Sequence, residues 1–322
     1  MQLPSRLRSA IELEAEGVKP SELAHAATEL SARYRTGHPF AGNFPDNEPQ
    51  RIAYLATRMP ATYAVLRSVF GEFRRLLPDN DIESLLDLGC GPGSALWAAI
   101  ETFDELKKAT LYDRDPHLIR LGKTLAANGD NLVLQNADWQ IRDIRSSLLP
   151  PHQLVVCSYS LGEVGSKGVP GVLQRAWEAT ETAIIIIEPG TKRGFGLIRE
   201  LRETLIEWGA NLLAPCPHDR ACPMGADDWC HFAERVERTS LHRYLKLGER
   251  GHEDEKYSYI IAAKQPGQRV PARVIRHPRR HSGFAQLTIC GSDGIEHLTV
   301  RRSQKELWRK ARKIDWGDGW EI

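Results

Sequence analysis

One stretch limits the folds open to this chain more than any other. It reads Ser84-Leu85-Leu86-Asp87-Leu88-Gly89-Cys90-Gly91-Pro92-Gly93-Ser94, and Ala95-Leu96-Trp97-Ala98-Ala99-Ile100 follows it. An apolar run of strand length empties into three glycines at alternating positions, and helical composition takes over at once. That pattern specifies a strand, a tight turn and a helix start. Glycine admits positive φ in such a turn and lets the backbone approach a ligand with no Cβ in the way. The helix N-terminus behind it offers unpaired N–H groups to a polar ligand. The spacing is Gly-x-Gly-x-Gly, which differs from the Gly-x-Gly-x-x-Gly of dinucleotide sites.

Asp87-Leu-Gly-Cys-Gly-Pro-Gly resembles motif I of the class I S-adenosylmethionine-dependent methyltransferases. The resemblance implies an α/β fold with a Rossmann-like, doubly wound sheet. It also implies S-adenosylmethionine as cofactor, its methionine end held by Asp87, Gly89, Gly91 and Gly93. The alternation of strands and helices over residues 82–264 independently argues for a parallel sheet covered on both faces. A second strand at residues 109–112 ends in Asp113, 26 residues after Asp87. A carboxylate there can accept hydrogen bonds from both ribose hydroxyls. Residues 132–135 read as the third strand, leading to Asp138 and Trp139, which are expected at the adenine amino group and ring. The fourth strand, residues 153–157, ends in Ser158-Tyr159-Ser160-Leu161-Gly162-Glu163. In methyltransferase folds this end faces the methyl group. Amino-directed enzymes of the fold carry Asn/Asp-Pro-Pro-Tyr there, which this chain lacks. Cys157 has no preceding proline and reads as a small core residue. The slot is present and its usual chemistry is blank, so the catalytic residues stay unassigned.

No apolar run approaches the roughly 20 residues that span a bilayer. Glu12, Glu14 and Glu16 behind the first arginines do not fit a transit or signal peptide. A cytoplasmic monomer with no membrane contact is the expectation. The formal net charge of +1 conceals an asymmetry: residues 264–313 hold thirteen Lys/Arg against three Asp/Glu. A neutral body with a basic end points to a polyanionic partner at that end.

Residues 1–80 read as a helical cap. Leu23, Ala27, Leu30 and Tyr34 recur at helical spacing, a loop follows over residues 38–49, and Pro60 interrupts or restarts a helix that continues to Leu77. The methyltransferase domain takes residues 81–264, and a basic β module takes 265–322. Short strands in that module, with Gly291-Ser292-Asp293-Gly294 as a hairpin turn, suggest a small antiparallel, barrel-like unit. Arg273, Arg276, Arg279, Arg280, Arg301 and Arg302 lie on or between these strands. Arginine forks match phosphate and stack on bases, so these six are the candidate RNA contacts.

Within residues 213–232 stand Cys216, Cys222 and Cys230, among prolines and glycines that keep the segment irregular. In a reducing compartment such a cluster points to metal rather than disulfides. Cys290 is the natural fourth ligand if the module packs on the domain. Four cysteines suit a [4Fe–4S] cluster. Zinc on three of them plus His218 or His231 is the rival, and unliganded thiols are the third reading.

Several strings together resemble one family. They are residues 87–99, Ser158-Tyr-Ser-Leu-Gly-Glu, Glu188-Pro-Gly-Thr, Ala214-Pro-Cys-Pro-His, Trp229-Cys-His-Phe and Arg276-His-Pro-Arg-Arg. The family is the Rsm-type methyltransferase-like proteins of the small ribosomal subunit, known from mitochondria and with bacterial members. The resemblance implies binding to small-subunit rRNA during assembly or translation, and an iron–sulfur cluster on Cys216, Cys222, Cys230 and Cys290. Three functions are open at this point. They are an rRNA methyltransferase, a catalytically inactive RNA-binding assembly factor on the same fold, and a zinc-binding small-molecule methyltransferase.

Overall fold

In the computed structural model of the chain, residues 1–35, 45, 47–246 and 250–321 are described. Four helices open it: α1 (Ser5–Glu16), α2 (Pro20–Arg35), α3 (Glu48–Thr57) and α4 (Met59–Leu76). Most of the loop expected over residues 38–49 lies outside the described residues. Its end does not: Asn47 caps α3 by accepting the Gln50 N–H at 3.0 Å, so Glu48 and Pro49 already belong to the helix. Pro60 sits in the first turn of α4, where a missing N–H costs nothing. The amphipathic face of α4 buries Leu66, Phe70 and Phe73 against the sheet. Each such side chain contributes about 1.5–3 kcal/mol on full burial.

The sheet region runs β1 (Ser84–Leu88), α5 (Ser94–Ile100), β2 (Lys108–Asp113), α6 (Pro116–Ala127), α7 (Leu132–Gln135), β3 (Asp138–Ile141), β4 (His152–Ser158) and α8 (Leu161–Val164). It continues with α9 (Val169–Ala179), β5 (Thr180–Pro189), α10 (Lys192–Glu207), β6 (Asn211–Ala214), β7 (Phe232–Glu237), α11 (Ser240–Leu245) and β8 (His252–Ala263). Strand order is β3-β2-β1-β4-β5-β8-β6, with β7 added to β8. Strands β1 to β5 are parallel, while β8 runs antiparallel to β5, β6 and β7. This is the doubly wound class I methyltransferase sheet. The Ile184–Ile187 run lies wholly buried in β5, as a parallel strand covered on both faces must.

One expected strand is a helix. Residues 132–135 form the single turn α7, because the Asn131 side chain accepts the Val133 N–H at 2.7 Å and starts a helix there. Only Leu134 of its apolar trio is buried, whereas Leu132 is 72% exposed. The third strand is β3, which pairs with β2 from Thr110↔Asp138 to Asp113↔Ile141.

The C-terminal part is a second, curled antiparallel sheet: β9 (Ala272–Val274), β10 (Arg279–Arg280), β11 (Phe284–Gly291), β12 (Gly294–Arg301), the helix α12 (Lys305–Ala311) and β13 (Gly319–Trp320). Strands β11 and β12 close at Gly291↔Gly294 around Ser292 and Asp293, the expected two-residue turn. Leu287, Ile289, Val300 and Trp320 form its own core. Among the described residues, no helix is long and apolar enough to cross a membrane.

Candidate functional site

The carboxyl ends of β1, β2 and β4 meet at one edge of the sheet, and a cleft opens there. Its walls include Asp87, Gly89, Gly91, Asp113, Asp143, Ser158, Ser160 and Glu163, and the cap supplies Tyr54 and Thr62. The glycine turn is tied down by Gly89 and Cys90, whose N–H groups donate to the Tyr112 carbonyl at 2.8 and 3.0 Å.

The three glycines do different things. A Cβ on Gly89 would lie 2.4 Å from Cβ of Ser160, and one on Gly93 would lie 2.5 Å from Cη2 of Trp139. Both are packing constraints. A Cβ on Gly91 would meet nothing nearer than the Tyr54 hydroxyl at 3.9 Å. Gly91, with φ +53, is the one that opens on the cleft.

Asp87 is 1% exposed, and neither of its carboxylate oxygens has a hydrogen-bond partner. Burial, and secondarily the charge of Asp113, push its pKa up to about 8. An unsatisfied buried carboxylate is costly, so the site is shaped for a cationic group. Asp113 ends β2 and accepts the Gly91 N–H at 2.8 Å and the Asp115 N–H at 2.9 Å. Burial raises its pKa as well. Asp115 itself caps α6 through His117 N–H at 2.8 Å.

Two expected adenine contacts are elsewhere. Asp138 begins β3, opposite Thr110, so it stands three residues, about 10 Å, from the carboxyl edge. It does not line the cleft. Trp139 is buried beneath the glycine turn, wedged between Gly93 and Gly122. The acid that β3 does deliver to the cleft is Asp143, just past the strand end. Hydrogen bonding from Arg145 holds its pKa down. The alternation of Asp138-Trp139-Gln140-Ile141 was the signal that would have located it.

At the end of β4, Tyr159 takes φ 56, a strained backbone for a residue with a Cβ. The buried hydroxyls of Ser158 and Ser160 have no hydrogen-bond partner. Glu163 lines the cleft with its pKa pushed up to about 8, by burial first and by Asp113 next. Glu188, raised by burial to about 7, accepts the Gly162 N–H at 3.0 Å and fixes this loop. Glu163 was not singled out from the sequence.

A second cavity lies between α10, β8 and the C-terminal sheet. Cys216, Cys222, Cys230 and Cys290 all line it, with His218, Arg199, Arg202, Met224 and Ile275. All four thiols are free. Burial and then the neighbouring sulfurs raise the pKa of Cys230 and Cys290. Among the described residues, no three His, Cys, Asp or Glu side chains form a ready single-ion site. His231, one of the zinc alternatives, stacks on Trp229 with centroids 5.2 Å apart, and its Nδ1 lies 3.2 Å from the Trp229 carbonyl.

The six arginines divide. Arg273 is 2% exposed and turned inward. It pairs with Glu72 of α4 at 2.5 Å and donates to the carbonyls of Pro215 at 3.0 Å and Gly317 at 2.7 Å. It is not a surface contact. Arg276 braces the cysteine segment through Asp228 at 2.5 Å, and Arg280 pairs with Asp315 at 2.7 Å. Arg279, Arg301 and Arg302 are exposed, and among the described residues none of them is ion-paired. The register Arg279↔Gln286 and Phe284↔Arg301 puts Arg279, Phe284 and Arg301 on one face, where the His281 ring stacks on Phe284 with centroids 4.3 Å apart.

The sequence and the fold were compared with those of known proteins. The chain is 26% identical over 293 residues to "Ribosome assembly protein METTL17, mitochondrial" of Homo sapiens, covering 83% of this chain and 61% of that protein. It is 26% identical to "Rsm22-cox11 tandem protein 2, mitochondrial" of Schizosaccharomyces pombe, covering 84% of this chain and 43% of that one. The chain thus spans about half the length of these relatives. A similar solved structure is magnesium protoporphyrin IX methyltransferase (ChlM) from Synechocystis PCC 6803 with bound SAM. Its TM-score is 0.41 at 12% identity, covering 74% of this chain and 97% of that one. Over residues 48–321 the sequence matches the family described as "Mitochondrial small ribosomal subunit Rsm22", and the chain belongs to that family.

Proposed function

We propose that this protein is an S-adenosylmethionine-binding, methyltransferase-like factor of small-ribosomal-subunit assembly that contacts small-subunit rRNA through its C-terminal sheet. The observation that carries the cofactor assignment is the orphaned carboxylate of Asp87 under the open Gly91 turn. When bound, the cofactor supplies an activated methyl group on a sulfonium centre. Asp87 would hold the ammonium of its methionine end, and Asp113, which keeps free lone pairs beside its two N–H bonds, the ribose hydroxyls. Arg279, Arg301 and Arg302 would meet phosphates, and the exposed His281 ring stacked on the half-buried Phe284 would meet unpaired bases. The ribosomal role is carried over from the names of the relatives.

Within the same reading, Cys216, Cys222, Cys230 and Cys290 hold a [4Fe–4S] cluster of structural function. Support comes from their lining a single cavity from two separate parts of the chain, the 213–232 segment and β11. Four cysteines with no fifth protein ligand assigned suit a [4Fe–4S] centre, and zinc is the alternative.

A second reading has its own observation: the β4 end presents Ser158, Tyr159, Ser160 and Glu163 to the cleft, without the Asn/Asp-Pro-Pro-Tyr string that aligns a base nitrogen. On that reading the fold binds RNA without methylating it. The deciding experiment incubates anaerobically purified protein with labelled S-adenosylmethionine and immature small subunits. Label transfer abolished in Asp87→Ala supports the enzyme. Cofactor binding without transfer supports the platform, and absence of cofactor binding overturns the cleft assignment. Iron, sulfide and zinc analysis of the same preparation decides the metal.

A further inference from the structure

We infer that Arg202 is the positioning residue and counter-charge of the cysteine-bound centre, acting through the sulfur of Cys216. This rests on the reading that the four cysteines hold metal.

Arg202 lies on α10 and is 3% exposed, yet it has no carboxylate partner within ion-pair reach among the described residues. A buried guanidinium without an anion is unstable, because the desolvation cost is repaid only by a well-placed negative charge. Its one side-chain partner is a sulfur: Nε donates to Sγ of Cys216 at 3.3 Å. Its Nη2 donates to the carbonyls of His218 at 2.8 Å and Arg220 at 2.7 Å. All three acceptors lie on the loop from Cys216 towards Cys222, so one planar fork fixes the loop and aims a cation at the first sulfur.

The second buried cation nearby, Arg273, reaches the carbonyl of Pro215 next to Cys216 but is already neutralised by Glu72. Arg202 is therefore the uncompensated charge. Four thiolates around either a [4Fe–4S] centre or zinc leave a net negative group, which is the anion missing from its surroundings. A hydrogen bond and a positive charge directed at a ligating sulfur stabilise the more reduced, more negative state of an iron–sulfur centre.

The test compares the wild-type full-length protein, purified anaerobically, with Arg202→Met and Arg202→Lys. Three things are read: metal content, rate of metal loss to a chelator, and the midpoint potential of the bound centre. Arg202→Met is expected to shift the potential downward and lose metal about tenfold faster or more. Arg202→Lys keeps the charge but not the fork, so its potential stays near wild type while metal loss still accelerates. A merely structural role would not separate these two readouts. An unchanged potential and unchanged loss rate in Arg202→Met overturn the proposal. Should Arg202→Met fail to fold, unchanged metal loss in Arg202→Lys does the same. Zinc in place of iron in the wild type sinks the iron–sulfur reading alone, since zinc retention still tests Arg202. A wild type with no metal overturns both.

Discussion

Replacing Gly91 and Gly93 separately by alanine distinguishes a glycine that faces ligand from one that faces the core. Both have positive φ, +53 and +87, so alanine pays a left-handed backbone strain of roughly 1–2 kcal/mol at either site. Alanine also restricts the unfolded chain, which returns about 0.4–1 kcal/mol. The net for Gly91→Ala is about 1 kcal/mol, because its new methyl has no neighbour closer than 3.9 Å. Gly93→Ala adds a clash at 2.5 Å with the Trp139 ring. That ring has little room to retreat, since it also packs so closely on Gly122 that a Cβ there would lie 2.4 Å from it. Overpacking of this kind costs about 1–3 kcal/mol more. Urea unfolding should therefore rank Gly93→Ala below Gly91→Ala by that margin. Titration with S-adenosylmethionine should reverse the order: Gly91→Ala, whose methyl projects into the cleft, loses affinity more severely per kcal/mol of stability lost. Equal destabilisation by both, or unimpaired cofactor binding in Gly91→Ala, would refute the division of labour.

Two further outcomes follow from the buried charges. The pKa of Asp87, 3.8 when unperturbed and about 8 in the folded protein, means that the folded state keeps a proton that the unfolded state has released. Its contribution to stability therefore falls as pH rises from about 4 to 8 and is flat above, at up to about 1.4 kcal/mol per pH unit. Asp87→Asn removes that slope, so the stability difference between variant and wild type, measured by urea unfolding at pH 5, 6.5 and 8, must grow in favour of the variant. A difference independent of pH contradicts it. Arg273→Met is expected to destabilise by about 3 kcal/mol, since it leaves the Glu72 carboxylate with only the Tyr259 hydroxyl and the longer pair to Arg75 at 3.6 Å. It should leave the salt dependence of RNA binding unchanged, and a shallower salt slope would return Arg273 to the RNA surface.

The sheet was legible because its strands are continuous apolar runs, and the glycine turn because its chemistry is local. The Asp87–Gly93 turn was legible from its resemblance to motif I and Asp113 from its place at a strand end, and the structure puts Asp87, Gly89, Gly91 and Asp113 at one sheet edge. Leu132-Val133-Leu134 misled because a three-residue apolar run carries no period; the cap supplied by Asn131 decided for a helix turn. The acid that the reading of this segment put at the cleft was Asp138, whereas the one that lines it is Asp143. Arg273 misled for a different reason. A basic run reports its composition, not which of its members find partners, and the partner here, Glu72, is 201 positions away in the cap. Glu163 stands in the string that closes the fourth strand, but its raised pKa is made by burial and by the proximity of Asp113, which the string does not show.

The inward arginines change what the basic end of the chain means. Arg269 pairs with Asp219 at 2.8 Å, Arg276 with Asp228 at 2.5 Å, and Arg273 holds the Pro215 carbonyl at 3.0 Å. Three cations of the C-terminal sheet thus fasten the irregular segment that carries Cys216, Cys222 and Cys230. The charge left for a polyanion gathers at the far end of the same sheet, around Arg279, Arg301 and Arg302. Cys290 and Phe284 lie on one face of β11, six residues apart, which in an extended strand is about 20 Å. A centre at Cys290 would be too distant to touch a nucleotide at Phe284, so on the proposed reading any influence on RNA binding would pass through the docking of the sheet. The cysteine cavity is closed only when that sheet is seated, since Cys290 is its contribution to the lining. Metal binding would then add its free energy to the seated arrangement alone, and the RNA-facing end would be held in place by a site it never contacts.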